Sequence, residues 1–171
     1  MSHIFGPNIV TNGLVLYLDA GNTKSYSGSG TTWTDLSGNG NNGTLTNGPA
    51  YDSANLGGIL FDGNNDYITV PDNSSLTSFT NMTLEILVKY NVNNKNQVFV
   101  QKWNYGSGNG YGLEIYNGNI LAYCMNPYGV YPTVNVNNYS AGVVHHFAVS
   151  LNGSTQSFYG NGALIDRKSV V

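Results

Sequence analysis

Leu113-Glu114-Ile115-Tyr116-Asn117-Gly118-Asn119-Ile120-Leu121-Ala122-Tyr123 decides the fold class of this chain. Two short apolar-rich runs flank an Asn-Gly pair, the dipeptide that supplies the positive φ angles of a two-residue hairpin turn. Similar pairs recur outward from it in both directions: Asn12-Gly13, Asn42-Gly43, Asn47-Gly48, Asp62-Gly63, Asn109-Gly110, Asn152-Gly153 and Asn161-Gly162. Between them lie further β-type runs, at Leu14–Leu18, Gly58–Phe61, Tyr67–Val70, Met82–Tyr90, Gln97–Trp103, Tyr111–Tyr116, Ile120–Met125, Val143–Leu151 and Gln156–Tyr159. In Met82–Lys89, Leu84, Ile86 and Val88 alternate with Thr83, Glu85, Leu87 and Lys89, which suits a strand with one buried face. Phe147, Val149 and Leu151 alternate in the same way. No segment shows helical periodicity with caps. The expectation is an all-β, antiparallel sandwich without internal repeat or interdomain linker.

Composition agrees with that class. The 171 residues suffice for one domain with a sizeable core. Hydrophobic residues reach 40% while charged ones make up only 9%, so the polarity is carried by uncharged turn formers rather than by the charge that marks disorder. Six scattered Lys and Arg against a net charge of −3 exclude a phosphate-binding patch, and nucleic acid is not an expected partner. Cys124 is the single cysteine, so neither an intrachain disulfide nor a cysteine metal site can form. Met1-Ser2-His3-Ile4-Phe5-Gly6-Pro7 lacks the basic and apolar regions of a signal peptide, and no run is apolar enough for membrane insertion. The sequons at Asn42, Asn73, Asn81, Asn138 and Asn152 follow from an Asn-, Ser- and Thr-rich composition.

Four stretches, in order, resemble the laminin-G-like branch of the concanavalin A-like jelly rolls. They are Gly13-Leu14-Val15-Leu16-Tyr17-Leu18-Asp19-Ala20, Trp33-Thr34-Asp35-Leu36-Ser37-Gly38-Asn39-Gly40-Asn41-Asn42-Gly43, Leu60-Phe61-Asp62-Gly63-Asn64-Asn65-Asp66-Tyr67-Ile68-Thr69-Val70, and His145-His146-Phe147-Ala148-Val149-Ser150-Leu151-Asn152-Gly153-Ser154 running on to Phe158-Tyr159-Gly160-Asn161-Gly162. The resemblance covers about residues 13 to 165. It implies an N-terminal arm over 1–12 and a jelly-roll domain over 13–171. The N-terminal half, from Gly6-Pro7 through Trp33, is similar to laminin-G-like proteins encoded by bacteriophages, cyanophages among them, which implies a virion component. Two departures stand out. Val144 occupies the position that the family fills with Trp, and the family's usual last strands beyond Asn161-Gly162 are expected to be missing.

Several motifs invite sharper readings. Gly38-Asn39-Gly40-Asn41-Asn42-Gly43 spells a dinucleotide-binding pattern, but β-like Thr44-Leu45-Thr46 follows it where a helix is required. Asp62, Asn64 and Asp66 place oxygens at alternate positions, as a calcium loop begins. Tyr67 and Asn73 stand where such a loop needs Gly and Glu, so the competing reading is a hairpin turn whose Asp side chains hold backbone N–H groups. Laminin-G-like relatives often hold calcium, and calcium is the only cofactor the resemblance implies. His145 and His146 are adjacent on a strand and point to opposite faces, so they cannot share one ion. Glu85 and Glu114 lie on separate strands, without the closely spaced carboxylate pair that glucanase chemistry needs, and the chain is expected not to be an enzyme. Trp103, Asn104, Tyr105 and Tyr111, with Asn126, Tyr128 and Tyr131, combine rings and amides in apparent loops. Rings stack on sugar faces and amides pair with hydroxyls, making these seven the candidate glycan-binding residues.

The expected function is therefore a non-catalytic phage virion protein, a head decoration or tail-fibre adhesion module with glycan binding. The alternative is a stand-alone carbohydrate-binding module or lectin, with calcium dependence. Expected partners are other virion proteins or copies of itself, and cell-surface polysaccharide. The expected location is the virion, the protein being made in the host cytoplasm.

Overall fold

The computed structural model of the chain describes residues 9–77, 80–92, 94–104, 109–124 and 133–169. They fall into two compact units, Met1–Ser78 and Phe79–Val171. The first carries β1 (Thr32–Trp33), β2 (Gly43–Thr46), β3 (Ala50–Asp52), β4 (Gly58–Leu60) and β5 (Tyr67–Thr69). β2 is the middle strand of an antiparallel sheet β1-β2-β5, and β3 and β4 form a separate hairpin.

In the first unit the expected strand at Leu14–Leu18 does not join a ladder. Its backbone is held instead by side chains from a loop some twenty residues on. Asn39 Nδ2 donates to Leu14 O, Ser37 Oγ and Asn41 Nδ2 donate to Val15 O, and Asp35 Oδ1 accepts from Tyr17 N. Asp35 is the centre of that loop: buried, it also accepts from Ser37 N, Ser37 Oγ and Asn41 N. Burial works to raise its pKa, but the donations from Ser37, Tyr17 and Asn41 outweigh it and hold the carboxyl below its ordinary range. The glycine pattern that mimics a nucleotide loop is this same turn. Gly38 and Gly40 sit at φ 89° and 73°, and β2 rather than a helix follows.

The second unit contains β6 (Asn81–Lys89), β7 (Gln97–Asn104), β8 (Asn109–Tyr116), β9 (Asn119–Cys124), β10 (Thr133–Asn135), β11 (Val144–Asn152), β12 (Thr155–Gly160) and β13 (Ala163–Ser169). They form two four-stranded antiparallel sheets, in the orders β10-β9-β8-β7 and β13-β12-β11-β6. The inner faces meet in one cluster. Leu113, Ile115, Ile120, Ala122 and Cys124 come from one sheet, and Phe147, Val149, Leu151 and Phe158 from the other. This is the concanavalin A-like β-sandwich the sequence leads one to expect.

The alternation read from sequence places the side chains. Leu84, Ile86 and Val88 of β6 pack against the core, while Glu85 and Leu87 face out. Asn117 and Gly118 form the hairpin turn between β8 and β9 at φ 48° and 74°, and Asn161 and Gly162 repeat it between β12 and β13 at φ 50° and 82°. Asn109-Gly110 departs from expectation: both residues lie in β8, paired with Asn104 and Trp103. Asn152 likewise belongs to β11, leaving the turn to Gly153-Ser154. Beyond Asn161-Gly162 a strand does form, β13, which amends the expectation of missing last strands. Its pairing with β12 shifts register at Phe158/Tyr159, which hides the alternation in its sequence.

Phe147 is the hub of the interior. It stacks on Phe99 of β7 with centroids 6.3 Å apart, meets Tyr139 edge-on at 5.0 Å, and also touches Phe158 and His145. His145 is buried, as one member of the histidine pair was expected to be. Asn161 Nδ2 lies 3.3 Å from its Nδ1, and Ser140 O lies 2.9 Å from its Nε2. The amide can only donate, so Nδ1 accepts and Nε2 carries the proton. His146 faces out beside Glu85, 3.4 Å away. Cys124 is fully buried, its backbone N–H held by Gln156 Oε1 across the sandwich.

Two outcomes follow. Asp35→Asn is expected to cost about 1–3 kcal/mol, since a charged acceptor of several buried donors is lost. A carboxyl depressed in the fold stabilises it above the unfolded carboxyl range, near pH ~4, and that contribution is lost as pH falls through the lower folded value. Thermal melts from pH 7 to 2 should therefore show a steep acid limb in the wild type and a flatter one in Asp35→Asn. Burial pushes the Cys124 thiol up to about 12, so a thiol-specific disulfide reagent at pH 8 should leave the native chain unlabelled and modify one thiol after addition of urea.

Candidate functional site

The outer face of the β10-β9-β8-β7 sheet is built by strand alternation and one irregularity. On β8, Leu113 and Ile115 point inward, so Glu114 and Tyr116 stand together on the outer side. Register places Val98 of β7 and Leu121 of β9 on either side of Glu114, and Asn119 beside Tyr116. The irregularity is a bulge between Val98 and Val100, where Phe99 and then Val100 both face inward to the core. The extra residue changes the alternation beyond it. Gln101, not Val100, aligns with Gly112 on Glu114's face, and Lys102 pairs with inward-packed Tyr111.

The row at Gly112 is a wall. Tyr123, paired with Gly112, is itself buried, and its hydroxyl accepts from Gln101 Nε2 at 2.8 Å. A Cβ on Gly112 would stand 2.6 Å from that hydroxyl and 2.8 Å from Val100 O, so glycine is what lets the tyrosine lie there. The open part of the face lies beyond it. Val98 is 56% exposed and Tyr116 48%, Gln101 is exposed, and Glu114, Asn119 and Leu121 are half-buried. Glu114 has no hydrogen bond or ion pair among the described residues, and burial alone pushes its carboxyl pKa up.

The sequence-derived glycan candidates divide. Trp103 and Asn104 end β7, in register with Gly110 and Asn109. Tyr111 is not a loop residue: it lies in β8 and packs against the interior cluster, opposite Cys124, because Leu113 and Ile115 set the inward side of that strand. Tyr105, Asn126, Tyr128 and Tyr131 lie outside the described residues. Glu114, Tyr116 and Gln101 were not among the candidates. Alternation in Leu113-Glu114-Ile115-Tyr116 would have found the first two.

Asp62, Asn64 and Asp66 follow the hairpin reading. Asp62 Oδ1 accepts from Asn64 N at 2.8 Å and Asn65 N at 3.3 Å, and Asp66 Oδ2 accepts from Asp62 N at 3.0 Å. These donations, that of Asn64 foremost, lower the Asp62 pKa. The carboxylates are turned toward their own backbone, and among the described residues no group of three His, Cys, Asp or Glu is placed to hold a metal. The set does not fit a calcium site. The two glutamates stand on opposite outer faces of the sandwich, Glu85 on β6 and Glu114 on β8, too disposed to act as a pair on one bond.

Comparison with known proteins agrees with this architecture. A laminin-G-type family model, described as concanavalin A-like lectin/glucanases superfamily, matches residues 62–171. No curated protein matches. Among solved structures, a mutant of HCR/D is similar at 15% identity and a TM-score of 0.73, over 96% of this chain and 41% of that one. The binding domain of botulinum neurotoxin serotype D gives 15% identity and a TM-score of 0.71, over 95% and 41%. An S-layer domain-containing protein from Clostridium thermocellum gives 24% identity and a TM-score of 0.53, over 91% and 72%. The chain thus spans less than half the length of two of these three matches. The likenesses concern the fold, whereas the family match runs through most of the chain, from the Asp62 hairpin to its last residue. The chain belongs to the concanavalin A-like lectin/glucanase superfamily, a family of lectin-like, carbohydrate-binding type domains.

Proposed function

We propose that the chain is a non-catalytic recognition module that binds saccharide through the outer face of the β10-β9-β8-β7 sheet. The observation that carries this reading is the set Gln101, Glu114, Tyr116 and Asn119, brought onto one open face by register and by the Phe99 bulge. A phenol ring offers a flat apolar surface to a sugar, while amide and carboxylate groups take hydroxyl hydrogens and Asn and Gln also return a donor. Sheet-borne groups are held rigidly, which limits the entropy lost on binding. The separation of Glu85 from Glu114 favours binding over hydrolysis.

The setting we propose is the virion, with the domain serving as a head decoration or fibre module and binding polysaccharide on the host surface. Similarity of the N-terminal half to phage-encoded laminin-G-like proteins supports it. A stand-alone lectin uses the same face. The two differ in assembly, because a virion component forms a defined homo-oligomer or enters particles while a stand-alone lectin binds as a monomer. Light scattering on a sizing column separates them: a closed trimer or larger ring is expected, and a monomer would move the reading to the lectin.

Binding is tested by calorimetric titration with neutral oligosaccharides derived from mannan, glucan and galactan. Tyr116→Ala is expected to weaken binding at least about tenfold, equivalent to ~1.4 kcal/mol, with the melting temperature unchanged. Addition of a chelator is expected to leave affinity unchanged. Absence of binding across the three series would refute the reading.

A further inference from the structure

We propose that Glu114 is the specificity-determining residue of this face, selecting saccharides that are neutral or carry an amine and excluding those that carry carboxylate, sulfate or phosphate. The inference rests on the saccharide-binding reading and goes beyond it by naming the class of sugar.

The argument begins with what surrounds the carboxylate. Its cross-strand neighbours are Val98 and Leu121, both apolar, and along β8 it is flanked by Gly112 and Tyr116. No described side chain donates to it. A carboxylate half-removed from water without a partner costs stability, which a purely structural position gives no reason to retain. Glu85, the other glutamate, faces out on its own sheet with His146 beside it.

The bulge at Phe99 makes the isolation of Glu114 a property of the fold. In a regular ladder, the alternation that starts at Val98 would continue through Val100 to Lys102 on Glu114's side of the sheet. The inserted residue replaces that series with Val98 and Gln101, and Lys102 falls in register with Tyr111 on the other side. The sheet therefore keeps its nearest strand cation off the face and presents an amide instead. An unneutralised carboxylate with apolar cross-strand neighbours attracts O–H and N–H donors and repels a second anion brought onto the same face. Discrimination by a repulsive element is the economical way to reject a ligand that otherwise has the same shape.

The test compares two oligosaccharide series with one backbone: glucan hexasaccharides and their C6-oxidised, carboxylate-bearing counterparts, with the galactan and mannan pairs in parallel. Wild type at pH 7 and low salt is expected to bind the neutral member at least about tenfold more tightly, ~1.4 kcal/mol. Raising the salt should narrow that ratio by screening the repulsion. Glu114→Gln, which keeps the shape, should bring the ratio to within about twofold, chiefly by strengthening binding of the acidic series. Melting curves of the variant should show no loss of stability, since the substitution removes an unpaired, partly desolvated charge. If neutral sugars bind and the ratio responds neither to Glu114→Gln nor to salt, the assignment of Glu114 fails while the recognition reading stands. A wild-type preference for the acidic series would overturn it equally. If neither series binds, the recognition reading itself fails and takes this inference with it.

Discussion

The contact between Phe147 and Phe99 is the constraint on which the rest of the second unit depends. Phe147 lies on β11, inside one sheet, and Phe99 on β7, at the edge of the other, and their rings stack nearly parallel, at 4°. Phe147 is fully buried, with Phe158, Tyr139 and His145 around it. Burying rings of this size stabilises the core by about 1.5–3 kcal/mol per residue, and the strand that carries Phe99 is irregular beside it. The irregularity is the extra residue in β7. Val98 and Val100 pair with the successive residues Glu114 and Leu113 of β8, so Phe99 and Val100 both face the core.

That single packing decision reaches the outer surface. A strand cannot turn one side chain inward out of turn without changing which residues face out beyond it. The bulge that turns Val100 inward beside Phe99 is also what aligns Gln101 with Gly112 and puts Lys102 on the side of the sheet away from Glu114. The core and the candidate recognition surface are thus two consequences of the same register shift. Gly112 completes the arrangement by admitting the Tyr123 ring, whose hydroxyl fixes the Gln101 amide. In the first unit Asp35 plays a comparable organising part, gathering N–H donors from Tyr17, Ser37 and Asn41 onto one carboxylate.

Much of the fold was legible because it rests on period-two alternation and turn chemistry. Met82–Tyr90, Val143–Leu151 and the Asn117-Gly118 hairpin declared themselves through patterns that physics requires of half-buried strands. Leu14–Leu18 looked equally strand-like, but the Leu14 and Val15 carbonyls and the Tyr17 N–H are taken by Asn39, Asn41, Ser37 and Asp35 side chains, a pairing no local pattern reveals. Asn109-Gly110 carried a turn signature that the ladder with Trp103 and Asn104 overrode. β13 was missed because its register shift breaks the alternation of Ala163–Ser169. The site was half legible. Glu114 and Tyr116 follow from alternation on β8, whereas Gln101 joins them only through a bulge, which leaves no mark in sequence. Aromatic content drew attention to Tyr111, whose ring the alternation of β8 turns inward.

The central claim is that recognition belongs to the outer face of β7, β8 and β9. Backbone amide NMR of the isotopically labelled chain, titrated with a neutral hexasaccharide, tests it most directly. The account predicts saturable shift changes concentrated at Gln101, Glu114, Tyr116, Asn119 and Leu121. Changes concentrated instead around Glu85, Leu87 and His146, on the opposite sheet, would contradict it.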